Sequence, residues 1–582
     1  SLTLGTHNFT AGTTTIEVWS SSPNGNADND TSNDSAMVSL CTSLSGTYTV
    51  GGVGADYTDV AAAAAQLNSC GISGPVTFNV AAGSYSGGFS IGEVIGASST
   101  NTVAFVGADV ATTTISHDGT GQNATILLDG ADYVTFQKFT IANTATSNGW
   151  GVQLTNQADF NTIDSCIVNV DLGTNSSVVP ILATGSFTSV SSTGNNANNT
   201  TISNSTLNGG YYGVRFYGSS SAAADNLSNS VVNCTINTYY YGIYFYYQGE
   251  PSAIGNTVNL SNTSSGYGIY CIYARHMNFS KNALNGIRTY GIYLSQCNTS
   301  TQNATARALI ANNMITALGS GDGAYITTTS DFDFFYNSIS AENDQALWMS
   351  SSATGYDIRN NIFVASGASP IDFDAAPGVG DVLDYNIYYN SGTGNIADIG
   401  SSNYANVAAW VLADATKNAN SLDGDPSFFS ATDLHLAGTL ADNAGTPILS
   451  ITTDIDGQTR SLTTPDIGAD EYAAPSCSPP GALMATNVLA TTADLGWTAG
   501  GTETMWDVEY GMAGFTQGAG TLITNTITNP YSASSLMPNT DYDFYVRAKC
   551  GATSSPWIGP SSFKTACAAF TAPFTENFDS LA

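Results

Sequence analysis

Basic side chains are scarce in this sequence. Twelve lysines and arginines stand against 45 aspartates and glutamates in 582 residues, a formal net charge of −33. Such a chain repels phosphate backbones and anionic headgroups, so nucleic acid is excluded as a partner. Charge of either sign is sparse, at 10% of residues, against roughly 25% in ordinary soluble domains. Long apolar runs are missing as well: none approaches the ~18 residues of a membrane-spanning helix, and no direct membrane insertion is expected. The chain opens at Ser1 without a basic segment leading into an apolar one, and both of its ends are read as cut from a longer polypeptide. The nine cysteines show no CxxC and no Cys/His metal spacing, and zinc is therefore not expected.

What is present is apolar and β-like. Apolar residues make up 42% of the chain, with 30 Tyr, 24 Phe and 59 Gly, arranged as short runs between Asn/Gly/Ser turns. A chain of this length implies several domains or a repeat that grows in one dimension. An acidic, lysine-poor surface suits life outside the cell, where salt screens charges over roughly 8–10 Å. Export would allow disulfides, and Cys41 with Cys70, plus two of Cys477, Cys550 and Cys567, are the expected pairs.

Aligning the β-rich segments exposes a repeat: an apolar residue, two variable ones, a small polar residue, one more, then an apolar residue. It runs from Ile163 to Val168, Ile202 to Leu207, Val231 to Ile236, Phe279 to Leu284, Ile310 to Ile315, Phe334 to Ile339 and Ile358 to Phe363. Its fourth position is Cys166, Ser205, Cys234, Asn282, Asn313, Asn337 and Asn361, with Asn256 and Asn386 in the same register. The intervals span 22 to 39 residues, the length of a solenoid turn. Asn tolerates a left-handed corner, and stacked Asn side chains can bond from turn to turn; the row is expected to be structural, with Cys166 and Cys234 as small buried substitutes.

A second register accompanies the first. Tyr212-Gly-Val-Arg-Phe216, Tyr241-Gly-Ile-Tyr-Phe245, Tyr267-Gly-Ile-Tyr-Cys271 and Tyr290-Gly-Ile-Tyr-Leu294 recur once per turn. Alternation places Val214/Phe216, Ile243/Phe245, Ile269/Cys271 and Ile292/Leu294 inside, and Arg215, Tyr244, Tyr270 and Tyr293 outside. With Tyr325, the outward residues form the candidate binding column, whose ring faces would meet a sugar or a protein. About ten or more turns, roughly 50–60 Å, are expected. A helix within about 57–70, stopped by Gly71, would cap the first turn.

Hard-ligand clusters occur at Asp28, Asp30 and Asp34, at Asp454/Asp456, and at Asp466/Asp470/Glu471. Calcium is a possible ligand of the first, and an ion pair with Arg460 is the structural alternative for the last two. Catalysis has thin support: Arg275-His276 beside Lys281 is the best basic cluster, but no carboxylate recurs with it and polygalacturonase-type motifs are missing, so no catalytic residue is assigned.

Residues 44 to about 472 resemble the right-handed parallel β-helix repeat proteins exported by Bacteroidota, down to an ending of the form Asp454-Ile-Asp-Gly, Arg460, then Asp466-Ile-Gly-Ala-Asp-Glu471. Residues 476–567 resemble a fibronectin type III sandwich, through Leu495-Gly-Trp497, Trp506 to Tyr510, and the tyrosine-corner spacing Leu536 to Tyr542. Residues 1–43 resemble the end of a preceding sandwich and 568–582 the start of a further domain. The expected fold is all-β, a right-handed parallel β-helix followed by an immunoglobulin-like sandwich. The resemblance implies a type IX-exported cell-surface protein, most simply a structural or adhesive segment of a long fibre that meets glycans or cell-surface proteins, or that self-associates. A carbohydrate-binding module is the alternative, and a polysaccharide lyase or glycoside hydrolase the remaining one.

Overall fold

The computed structural model describes residues 13–19, 35–219, 226–299, 306–472, 477–550 and 553–569. The chain divides into two compact units, Ser1–Tyr472 and Ala473–Ala582. Asp28, Asp30 and Asp34 lie outside the described residues.

Each turn of the first unit gives one strand to each of three sheets, and each sheet counts 13 strands. Pairing is parallel throughout, apart from a final antiparallel pair, Ala397–Ile399 with Ser402–Tyr404. Thirteen strands at about 4.8 Å make a column about 60 Å long. Aliphatic and aromatic residues of all three sheets meet inside it. Phe78 stacks on Phe105 and Phe105 on Phe136 at 4.6 and 4.9 Å, and Phe216, Phe245 and Phe279 form a second stack at 5.9 and 5.7 Å. All eight inward residues of the Tyr-Gly strands are 0% exposed.

The Asn row is continuous. The carboxamides of Asn256, Asn282, Asn313, Asn337 and Asn361 each donate to the next, ending at Asn386, over 2.9–3.0 Å. Each acceptor oxygen also takes the backbone N–H of the preceding row member. Ser205 fills the same role for the Cys166 N–H, and Asn256 for that of Cys234; both cysteines are buried free thiols. The left-handed corner expected at the row itself belongs instead to the residue before it: Ser165, Asn204, Asn233, Gly255, Lys281, Asn312, Tyr336, Asn360 and Tyr385 have positive φ. Bending the chain one residue earlier turns the row residue inward, where its carboxamide reaches neighbours above and below.

Helix α1 (Val60–Cys70) lays Val60, Ala63, Ala64 and Leu67 against the first turn; Asp59 caps it by accepting the Ala62 N–H, and Gly71 ends it at φ 62°. The Cys41–Cys70 disulfide ties its end to the strand Ser35–Cys41, which pairs antiparallel with Thr13–Trp19. The other end is covered by a helix too short to stand out in sequence, α2 (Val407–Ala413). Its Trp410 is 2% exposed and stacks on Tyr404 at 5.2 Å.

Beyond α2 the chain folds back as a strap over the corner residues of earlier turns. Thr446 O accepts from Asn360 and Tyr336, Thr453 O from Asn312, and Thr453 Oγ1 from Lys281. Arg460 is the strap's central anchor. Its guanidinium lies 4.0 Å over the Tyr336 ring, donates to Asn312 and Gly468 O, and pairs with Glu471 at 3.1 Å. The Asp466 carboxylate does not join that pair; it accepts backbone N–H groups of Asn443 and Tyr472.

In the second unit, strands Gly481–Thr486, Thr492–Thr498 and Tyr531–Ser534 form one sheet. A facing sheet is built around Trp506–Met512 and Asp541–Cys550. The tyrosine corner is closed: Met537 N–H donates to the Tyr542 hydroxyl at 2.9 Å. Cys477–Cys550 is the disulfide, and Cys567 is free and exposed.

Candidate functional site

The candidate column occupies the outward row of the third sheet. Register links Leu182, Arg215, Tyr244, Tyr270, Tyr293, Tyr325, Trp348, Asp372 and Asp398, one per turn. The expected residues Arg215, Tyr244, Tyr270, Tyr293 and Tyr325 share one register, and the row continues past Tyr325 by three residues, Trp348, Asp372 and Asp398. Gly next to the first Tyr of each strand makes this close approach possible: a Cβ on Gly242 would sit 2.4 Å from Val258 Cγ1 and 2.5 Å from Gly268 O.

The rings stack along the column. Tyr244–Tyr270 and Tyr270–Tyr293 are 4.8 Å apart and nearly parallel; Tyr293–Tyr325 is tilted at 5.7 Å; Tyr325–Trp348 stacks at 4.2 Å. A parallel row, Tyr212, Tyr241, Tyr267 and Tyr290, runs beside it, meeting it edge to face at Tyr241–Tyr244 and Tyr267–Tyr270. Burial pushes the hydroxyls of Tyr244, Tyr270 and Tyr293 above their ordinary range.

This geometry corrects the expected mode of contact. Within the column each ring face is already covered by the next ring, so edges and hydroxyls, not faces, point to solvent. One end is closed altogether. Arg215 is 3% exposed, its guanidinium 4.2, 4.5 and 4.9 Å from the Tyr212, Tyr244 and Tyr217 rings, and Ser191 Oγ accepts from it at 2.8 Å. Tyr244 is only 9% exposed. Arg215 and Tyr244 are thus a structural seal, not an open surface.

The other end differs. Trp348 covers one indole face with Tyr325, and the residue in register on the next turn is Asp372, which carries no ring. Carboxylates gather around it. Trp348 Nε1 donates to Asp374 Oδ1 at 3.3 Å, Asp398 accepts from Ser369 at 2.8 Å, and Asp322, in register with Tyr290, accepts the Gln345 N–H at 3.0 Å. Burial, helped by the neighbouring Asp344 carboxylate to which it is hydrogen-bonded, pushes Asp322 up to about 7. Asp344 and Asp372 are also raised, first by burial. The indole is half-buried, with hydrogen-bond acceptors on its rim.

The basic cluster near the fourth Tyr-Gly strand does not assemble. His276 lies 3.9 Å from Glu250 and accepts the Ala306 N–H, whereas Lys281 is turned to the strap.

Residues 188–363 match the family model of the right handed beta helix region, and residues 478–564 that of the fibronectin type III domain. Comparison with curated proteins finds no match. Among solved structures, the fibronectin type III domain of human contactin 1 is 18% identical, covering 18% of this chain and 88% of that one, at a TM-score of 0.16. Escherichia coli ybhc is 10% identical over 45% of this chain and 82% of that one, at 0.29. A pectin methylesterase mutant in complex with a hexasaccharide is 11% identical over 54% and 82%, at 0.23. The chain is all-β, a right-handed parallel β-helix followed by a fibronectin type III-like sandwich, and the pairing fits an extracellular structural or binding role.

Proposed function

We propose that the chain is a structural and adhesive segment of a long extracellular cell-surface fibre, and that it touches neutral glycans at the Trp348 end of the aromatic column. In this reading the Thr13–Trp19/Ser35–Cys41 strand pair is the end of a preceding sandwich, and export follows the type IX route of Bacteroidota. The observation that carries the binding site is the single step from ring to carboxylate between Trp348 and Asp372: among the described residues, Tyr325 is the one ring stacked on this indole. A pyranose can lay its C–H face there and donate hydroxyls to Asp372, Asp374 and Asp398, while the acidic rim and the net charge of −33 reject uronic-acid polymers. No catalytic role is assigned to these residues.

The test is binding of the purified chain to immobilised neutral and acidic polysaccharides, followed by attachment of coated beads to cells. Retention on neutral glycans that disappears in Trp348→Ala supports the reading. Equal retention by wild type and variant moves the recognition surface elsewhere, and release of reducing or unsaturated ends at an enzymatic rate replaces the reading with a catalytic one.

A further inference from the structure

The strap brings a histidine and two aspartates from three separate segments to one point. His435 adjoins the bridge between Phe428 and Leu436, Asp456 sits in the turn closed by the Thr453–Thr459 bridge, and Asp470 precedes the Arg460 partner Glu471. One ring nitrogen of His435 and one carboxylate oxygen each from Asp456 and Asp470 all lie within 4.8 Å of one another. Nε2 of His435 is 2.8 Å from Asp456 Oδ2, and Nδ1 is held by Asp433.

Asp470 is the buried member of the three. It is 5% exposed, and one of its carboxylate oxygens accepts the Leu436 N–H at 2.8 Å. The neighbouring fully buried Asp454 adds negative charge, and its carboxylate accepts the Gln458 and Glu471 backbone N–H groups. Nearby Lys281 donates to Thr453 Oγ1.

We propose that His435, Asp456 and Asp470 bind a divalent first-row transition-metal ion, zinc in the simplest case, which staples three segments of the strap together. An imidazole nitrogen among the ligands favours such an ion over calcium, which takes oxygen alone. Ligand atoms must draw in by about 1 Å to meet zinc at about 2.0–2.2 Å, with the half-buried His435 and exposed Asp456 side chains moving toward the buried Asp470. Asp433 holds the Nδ1 proton, which leaves the Nε2 lone pair for the ion, as second carboxylates commonly do behind a metal-bound histidine. The expectation of no zinc rested on cysteine and histidine spacing, and this set uses no cysteine.

The full chain, carrying Cys567→Ser so that the exposed thiol cannot bind metal, is stripped with EDTA and titrated with zinc chloride by calorimetry and thermal melting. The expected result is about one ion per chain and a melting temperature that rises on loading; His435→Gln and Asp456→Asn should each weaken binding by at least ten-fold while the metal-free variants keep the wild-type circular dichroism and melting temperature. Saturable uptake that survives His435→Gln unchanged overturns the assignment, as does calcium binding as tightly as zinc. No uptake at all also overturns it and leaves His435 as an imidazolium bridging Asp433 and Asp456.

Discussion

Trp348 lies on Tyr325 with ring centroids 4.2 Å apart, and that contact is the last of the column. Arg215, at the opposite end, is sealed by three rings and Ser191. The two ends of one row therefore have different chemistry, although they belong to the same register: a buried cation at one end, and at the other an indole stacked on one side by Tyr325 and followed in register by a carboxylate. The tyrosines between them stack from turn to turn.

Trp348→Ala should separate binding from stability. The side chain is half-buried, so its loss should cost about 1–3 kcal/mol in urea unfolding, without changing the strand content seen by circular dichroism. Neutral-glycan affinity should fall by at least ten-fold, about 1.4 kcal/mol. A variant that unfolds no earlier yet binds as well as wild type removes the indole from the site.

Replacing Tyr244, Tyr270 and Tyr293 together by Ser should have the opposite balance. Each stacked pair is worth about 0.5–1.5 kcal/mol beyond the area it buries, and the triple change removes two pairs at 4.8 Å plus the ring that covers Arg215. The variant should lose much of the melting temperature of the solenoid while any correctly folded fraction still binds through Trp348. Full loss of binding with an unchanged melting curve would restore the tyrosines as the recognition surface.

Sequence and structure agree where spacing repeats once per turn. The Asn row and the Tyr-Gly strands were legible because a residue at fixed register meets its own kind above and below, so Asn256 to Asn386 and Tyr244 to Tyr325 could be placed without coordinates. What remained hidden depended on distances. Period-2 alternation says that Tyr270 points out, but not that its faces are taken by Tyr244 and Tyr293. Trp348 and Asp372 escaped notice because the Tyr-Gly signature lapses there: Leu347–Met349 and Ile371–Phe373 are three-residue strands. A second, outer Asn row through Asn169, Asn208, Asn237, Asn259 and Asn285 was available in principle, since each Asn follows the inward aliphatic of its strand. The strap could not be read locally at all, because residues 446–471 meet corners of turns more than 80 positions earlier.

Asn313→Ala tests the inner row at its middle. The side chain accepts from the Asn282 N–H and carboxamide and donates to Phe279 O and Asn337 Oδ1. Truncation leaves buried donors without partners, each costing about 1–3 kcal/mol, so a loss of about 3–4 kcal/mol in chemical denaturation is expected. Asn313→Ser should cost less, because Ser205 Oγ already accepts a row N–H at the same register. Equal effects of Ala and Ser would show that packing, not hydrogen bonding, sets the cost.

The last prediction concerns pH and Asp322. Its carboxyl is raised to about 7, first by burial and then by the Asp344 carboxylate, whereas in the unfolded chain it titrates near 3.9. The folded state therefore holds this proton more tightly than the unfolded state. Its stabilising contribution is fully present below about pH 4, shrinks as pH rises, and is gone once pH passes through about 7. Asp322→Asn should cancel that part of the pH dependence. Its amide oxygen keeps the Gln345 N–H, and its NH2 can donate to Asp344 where the acid shared a proton, so at pH 8 the variant should be more stable than wild type. Because other carboxylates titrate in the same range, the informative quantity is the difference between the two stability curves from urea unfolding at pH 4 to 8. That difference should grow in favour of the variant across the window and level off above it. Asp344→Asn should move the midpoint of the wild-type decline to lower pH by removing the neighbouring charge. A difference that stays flat from pH 4 to 8 would mean that Asp322 ionises in the folded chain as it does in the unfolded one.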